Sequence, residues 1–176
     1  IGAGLGTVGS PTDAIAEHAA QLNAIMVRPV DGAEGLEGVL EDTRINSICL
    51  GPGLGLSEAT KEMVKVALKS GRKLVLDADA LSIYAGDESA LFELCYEDVV
   101  LTPHGGEFAR LFPDIAAKLD APAVKGPAYS KVDATREAAA RAGCVVLFKG
   151  ADTVIADAQG RWSIKSGHYE RAAPWL

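Results

Sequence analysis

The chain has 176 residues, 48% apolar and 23% charged, the composition of one packed domain rather than of a disordered segment. Its 24 acidic against 17 basic side chains leave a net charge of −7, which argues against a general affinity for nucleic acid or anionic membranes. No apolar run reaches the ~20 residues that span a bilayer, and no basic segment leads into an apolar stretch near residue 1.

In chain order, Ala14–Ile25 predicts a helix, with Ile15, Ala19 and Leu22 at helical spacing. Ala33–Asp42 repeats the pattern more briefly. Ile45–Leu50 predicts a strand that stops at Gly51-Pro52-Gly53-Leu54-Gly55, after which Ser57 caps a helix running to Ser70 and ending at Gly71. Lys73–Leu76 predicts a strand followed by Asp77-Ala78-Asp79-Ala80-Leu81. Asp98–Leu101 predicts another, followed by Thr102-Pro103-His104-Gly105-Gly106-Glu107 and a helix over Gly105–Phe112. Asp114–Pro127, with Pro122, Gly126 and Pro127, reads as a surface loop, and Tyr129–Ala142 as a helix. Cys144–Phe148 predicts a further strand ending in Lys149-Gly150-Ala151-Asp152-Thr153, with Val154–Asp157 as its hairpin partner. Strands alternating with helices imply an α/β domain over residues 1–176, with a mainly parallel sheet covered by helices on both faces.

Three cysteines, Cys49, Cys95 and Cys144, are widely spaced and read as buried small hydrophobes in a reducing compartment, so the expected location is cytoplasmic. No CxxC pair supports a zinc site. His18 reads as a solvated or half-buried helix residue and His168 as loop surface.

Polar and glycine residues collect where the predicted strands end. In open α/β sheets, ligands bind outside the carboxyl edge, so these turns are candidates to line one crevice. Gly51–Gly55 suits close backbone approach to an anionic ligand but is not a Walker loop, and a plain tight turn is the alternative. Asp77 and Asp79, two apart in an extended segment, suit a shared metal or proton; the alternative is that Asp79 caps a helix while Asp77 binds nearby backbone. His104 and Glu107 share one helix face near a positive helix end, where His104 can meet substrate and Glu107 can hold water or magnesium beside phosphates. A capping role would account for Glu107 but not for His104. Lys149 is placed to meet a phosphate as a point charge, with a plain β-turn as the rival reading of Lys149–Thr153.

In this order, Gly-Pro-Gly-Leu-Gly (51–55), Leu-Asp-Ala-Asp-Ala-Leu (76–81), Leu-Thr-Pro-His-Gly-Gly-Glu (101–107) and Lys-Gly-Ala-Asp-Thr (149–153) resemble the ADP-dependent NAD(P)H-hydrate dehydratases. The resemblance covers nearly the whole chain. It implies a three-layer ribokinase-like fold and dehydration of the S-epimer of NAD(P)H hydrate in nicotinamide nucleotide repair. ADP or ATP would be the phosphoryl donor, with Mg2+; from ADP the products are AMP and phosphate. By motif, Gly53 and His104 would contact the hydrate, and Lys149, Gly150, Ala151, Asp152 and Thr153 the adenine nucleotide. Glu107 and Asp79 are the positions near metal and phosphate. His104 stands where related vitamin kinases carry Asn.

The family's Gly-Ser-Gly-Asp-like motif, with its catalytic aspartate, is expected beyond Leu176, and an opening strand and most of a first helix before Ile1. The chain therefore reads as an internal fragment, incomplete at both ends, that binds nucleotides weakly and turns over little; a natural short form is the alternative. The resemblance further implies a homo-oligomer and an epimerase, fused or as a partner. A small-alcohol kinase, a nucleotide-binding module without catalysis and a purely structural protein are the competing readings.

Overall fold

The computed structural model describes residues 4–122 and 128–166. Its main sheet has six strands in the order β3 (Ser47–Leu50), β4 (Lys73–Leu76), β5 (Val99–Leu101), β6 (Val145–Phe148), β7 (Asp152–Ala156) and β8 (Trp162–Ser166). β3 through β6 are parallel neighbours, with Cys49 opposite Val75, Val75 opposite Val100, and Val100 opposite Val145. β7 returns antiparallel to β6, as the predicted hairpin requires, and β8 pairs antiparallel to β7. A separate pair, β1 (Thr7–Ser10) and β2 (Met26–Pro29), is also parallel. Neither of these two strands, nor β8, stands out in the sequence.

The helices are α1 (Ile15–Gln21), α2 (Gly32–Leu40), α3 (Glu58–Lys69), α4 (Asp79–Ser82), α5 (Glu88–Phe92), α6 (Gly105–Leu111), α7 (Pro113–Asp120) and α8 (Lys131–Ala142). Two expectations are corrected here. The helix predicted over 14–25 ends at Gln21, because the chain must extend from Met26 to pair with β1. The loop expected over 114–127 is helical to Asp120: Pro113 occupies the first turn, where its missing N–H costs nothing, and Ile115 is buried beneath. Residues 123–127 lie outside the described residues, as does His168.

Successive parallel strands step in one direction, so right-handed crossovers place their helices on one face. The contacts agree: α2 packs on α3, α3 on α4, α4 on α6, α6 on α7 and α7 on α8. Under this layer the facing side chains Leu74, Leu76, Val99, Leu101, Val146 and Phe148 are buried. The opposite face carries Val75, Val100, Val145, Leu147 and Ile155, all partly exposed, and Cys49, which is exposed. Cys49 therefore departs from the expected burial because it points away from the helix layer. Cys144 is buried and Cys95 half-buried. Among the described residues, no helix is long and apolar enough to cross a membrane.

Two aromatic contacts lock the site-bearing elements together. Phe108 on α6 stacks on Phe148 at the end of β6, with centroids 4.0 Å apart, and Phe112 stacks on Phe92 at 5.0 Å. The first couples the helix after His104 to the strand before Lys149.

Candidate functional site

Parallel pairing delivers the carboxyl ends of β3, β4, β5 and β6 to one edge of the sheet, and direct bonds join the turns that follow. The Asp77 amide donates to Leu50 O at 3.1 Å, the Thr102 amide to Leu76 O at 3.0 Å, and the Lys149 amide to Pro103 O at 2.9 Å. Gly51 sits at φ +144, and a Cβ there would lie 1.8 Å from Asp77 O, so only glycine admits this approach of one turn to the next. The expected convergence of the four motifs is present.

Asp77 and Asp79 do not share a ligand. Ala78 between them has φ 48 and ψ −119, a conformation that costs a non-glycine residue roughly 1–3 kcal/mol and turns the two carboxylates to different partners. Asp77 Oδ1 accepts from Lys149 Nζ at 2.6 Å and from the Ala78 amide at 2.8 Å. Burial opposes the charge on Asp77, but these bonds and one from the Thr102 hydroxyl outweigh it and hold the carboxyl below its ordinary range. Asp79 Oδ2 accepts from the Gly55 amide at 2.8 Å, pinning the glycine loop to the start of α4. Thr60, buried on α3, holds the same loop by donating to Leu54 O at 3.0 Å and Gly55 O at 2.9 Å.

His104 and Glu107 form a capping box at the start of α6. His104 Nδ1 accepts from the Gly106 amide at 2.9 Å, while Glu107 Oε2 accepts from the His104 amide at 2.8 Å. The expectation that a cap explains only Glu107 is corrected: a histidine ring nitrogen does here what an Asn or Ser oxygen usually does. With Nδ1 accepting, the neutral ring carries its proton on Nε2, an assignment made from the hydrogen-bond network. The His104 side chain is 55% exposed, whereas Glu107 is 5% exposed. The imidazole is thus presented at the edge and the carboxylate lies behind it.

Lys149 is half-buried and paired with Asp77 instead of standing alone for a phosphate. Gly150, Ala151 and Asp152 are exposed, and Thr153 is half-buried, its hydroxyl donating to Gly150 O at 3.4 Å. Gly53 is exposed at φ +76 with no atom within 4 Å of where a Cβ would stand, leaving its backbone open to a ligand. Two recesses, of about 180 Å³ near Cys144 and Arg161 and about 530 Å³ near Phe92 and Arg141, lie away from this edge.

Magnesium is the metal the motifs imply. Among the described residues, no three His, Cys, Asp or Glu side chains gather as a metal-holding group. Glu107 spends one oxygen on the His104 amide and faces the His104 ring with the other at 3.4 Å, and Asp79 spends one on Gly55. These side chains do not make a cage for Mg2+, an ion commonly held by one or two carboxylates together with substrate phosphates and water.

Sequence reading missed Asp77 as the joint of the edge, Thr60 and Thr102 as its hydroxyl ties, and Lys131, whose head group reaches the 149–152 turn from α8. Only Lys131 carries a local signal: a lysine in the first position of a helix opposes the helix dipole.

The comparisons with known proteins agree with this geometry. A carbohydrate-kinase family model described as NAD(P)H-hydrate dehydratase matches residues 1–173. The bifunctional NAD(P)H-hydrate repair enzyme of Gloeobacter violaceus is 36% identical over 155 residues, covering 85% of this chain and 28% of that protein. Its counterpart in Synechocystis is 36% identical over 171 residues, covering 93% and 30%. The chain thus spans less than a third of these relatives. Among solved structures, the ADP/ATP-dependent NAD(P)H-hydrate dehydratase of Bacillus subtilis, co-crystallised with ATP and Mg2+ and soaked with CoA, superposes with a TM-score of 0.67 at 25% identity, covering 93% of this chain and 55% of that one. A ribokinase-like protein of Enterococcus faecalis gives 0.68 at 26% identity, covering 94% and 54%. The ribokinase-like fold, the parallel edge with its four joined turns and the family match over 173 residues lead to one conclusion: the chain belongs to the NAD(P)H-hydrate dehydratase family.

Proposed function

We propose that this chain carries the substrate-binding edge of an enzyme that dehydrates the S-epimer of NAD(P)H hydrate to NAD(P)H, with ADP or ATP as phosphoryl donor. The observation that supports it is the hydrogen-bonded union of the four turns at one sheet edge. In this reading Gly53 offers open backbone and His104 its Nε2 proton to the hydrate, while Lys149, Gly150, Ala151, Asp152 and Thr153 receive the adenine nucleotide.

The chemistry fits that division. A hydroxyl is a poor leaving group until it takes a phosphoryl group; phosphate then departs and the dihydronicotinamide is restored. From ADP the other product is AMP. Phosphoryl transfer asks the protein mainly for positioning and for stabilisation of charge. Turns held rigid on parallel strand ends supply the first, and backbone amides with Lys149 the second. The base that takes the hydroxyl proton is, in this reading, the aspartate of the family's Gly-Ser-Gly-Asp-like motif. A homo-oligomeric assembly, an epimerase in the same polypeptide or as a partner, and a cytoplasmic location complete the proposal.

Thermal unfolding of the 176-residue chain with ADP and, separately, with NADH hydrate tests it. A ligand at ~100 times its Kd should stabilise the fold by about 2.7 kcal/mol. Shifts with both ligands support the reading. No shift with either overturns it, and a shift with a small vitamin-like alcohol that becomes phosphorylated identifies a kinase instead.

A further inference from the structure

Lys131 breaks the local rules for a lysine. It is the first residue of α8, where the helix dipole opposes a cation, and its side chain is half-buried. Burial pulls its ammonium below the ordinary lysine range, and the charge of Asp152 only partly restores it. Among the described residues its hydrogen-bond partners are backbone carbonyls: Nζ donates to Lys149 O at 3.2 Å and to Asp152 O at 2.5 Å. The same atom lies 4.2 Å from the centroid of the Phe148 ring, within cation–π range.

The turn is shaped around this ammonium. A Cβ on Gly150 would lie 2.6 Å from Lys131 Nζ, so a side chain at residue 150 would displace the lysine head from this position. This explains a glycine whose backbone does not otherwise demand one, since Gly150 is not among the residues of positive φ. Lys149 has its charge paired directly with Asp77, whereas Lys131 brings a cation to the floor of the turn where, among the described residues, its hydrogen bonds go to backbone carbonyls and the Asp152 charge acts only through space.

We propose that Lys131 is the positioning residue of the Lys149–Thr153 turn, docked through the space that Gly150 leaves open, and that it orders and charges this turn for the phosphates of the adenine nucleotide. The inference rests on the assignment of that turn to the nucleotide, and the test separates the two.

Lys131→Met, Gly150→Ala and the double variant are compared with the parent chain for ADP binding, NADH-hydrate binding and amide hydrogen exchange at residues 150–153. Each single change should weaken ADP about tenfold, and the double change no further, because both remove one interaction. Hydrate binding should stay within about twofold, which general damage to the fold would not allow. Exchange at 150–153 should quicken in all three variants. Additive losses, or equal loss of both ligands, would overturn the proposal. If the parent chain binds no ADP, the nucleotide assignment falls while faster exchange confined to 150–153 still upholds the docking of Lys131; unchanged exchange overturns it.

Discussion

His104 accepts two backbone hydrogens through Nδ1, while Nε2 lies 3.4 Å from Glu107 Oε1 on a side chain that is 55% exposed, so capping falls to one ring nitrogen and the proposed contact to the hydrate to the other. Substitution can separate them. Asn is a good N-cap, so His104→Asn should keep stability within about 0.5 kcal/mol while lacking the imidazole donor; His104→Ala should lose about 1 kcal/mol as well. Both should weaken NADH-hydrate binding, measured by titration, and only the alanine variant should melt earlier. Equal hydrate affinity in the parent and His104→Asn would leave the ring with a capping role alone. Sequence reading found His104 from its place between Pro103 and two glycines, but it could not show that the ring also caps. Histidine is a rare cap, and which nitrogen accepts depends on a rotamer that spacing does not encode.

At the scale of elements, the main sheet shows why alternation alone is an incomplete guide. Val100 and Leu101 are adjacent and both apolar, yet Leu101 is fully buried under the helix layer and Val100 is partly exposed on the other face. Leu101→Ala should therefore cost about 2–4 kcal/mol in urea unfolding, and Val100→Ala about 1 kcal/mol or less. Comparable losses at the two positions would mean that both faces are packed equally. The main-sheet strands from β3 to β6 were legible because each is a short apolar run closed by a glycine or polar turn. α7 was not, since Pro122, Gly126 and Pro127 mark the segment as a loop, whereas the helix starts at Pro113 and ends before them. β1 and β2 were missed because Thr7–Ser10 and Met26–Pro29 are four residues each, with little periodicity to detect.

At the scale of the whole molecule, the decisive link is the pair Asp77–Lys149, 72 positions apart in sequence and 2.6 Å apart in space. It joins the end of β4 to the end of β6 across the intervening β5. Burial alone would raise the Asp77 carboxyl, but the bonds from Lys149, the Ala78 amide and Thr102 lower it below the ordinary 3.8. A carboxyl depressed in the folded state stabilises the fold above its ordinary value, and that contribution is lost as pH falls through the folded value. Asp77→Asn should thus melt earlier than the parent at neutral pH, by about 1 kcal/mol for a partly exposed pair, and the difference should shrink as pH is lowered below about 4. Melting curves from neutral to acid pH check this; a difference that persists at low pH would assign the loss to packing.

Order along the chain was enough to determine the α/β class, the parallel core strands and the four turns at their carboxyl ends. Those features arise from local periodicity and from the rule that right-handed crossovers align successive strands. Only the tertiary structure decided which partner each polar group takes: Asp77 with Lys149, Asp79 with Gly55, Lys131 in the space beside Gly150. Such pairings depend on which strands become neighbours and on where Ala78 bends the chain, and neither is written in the spacing of the residues that meet.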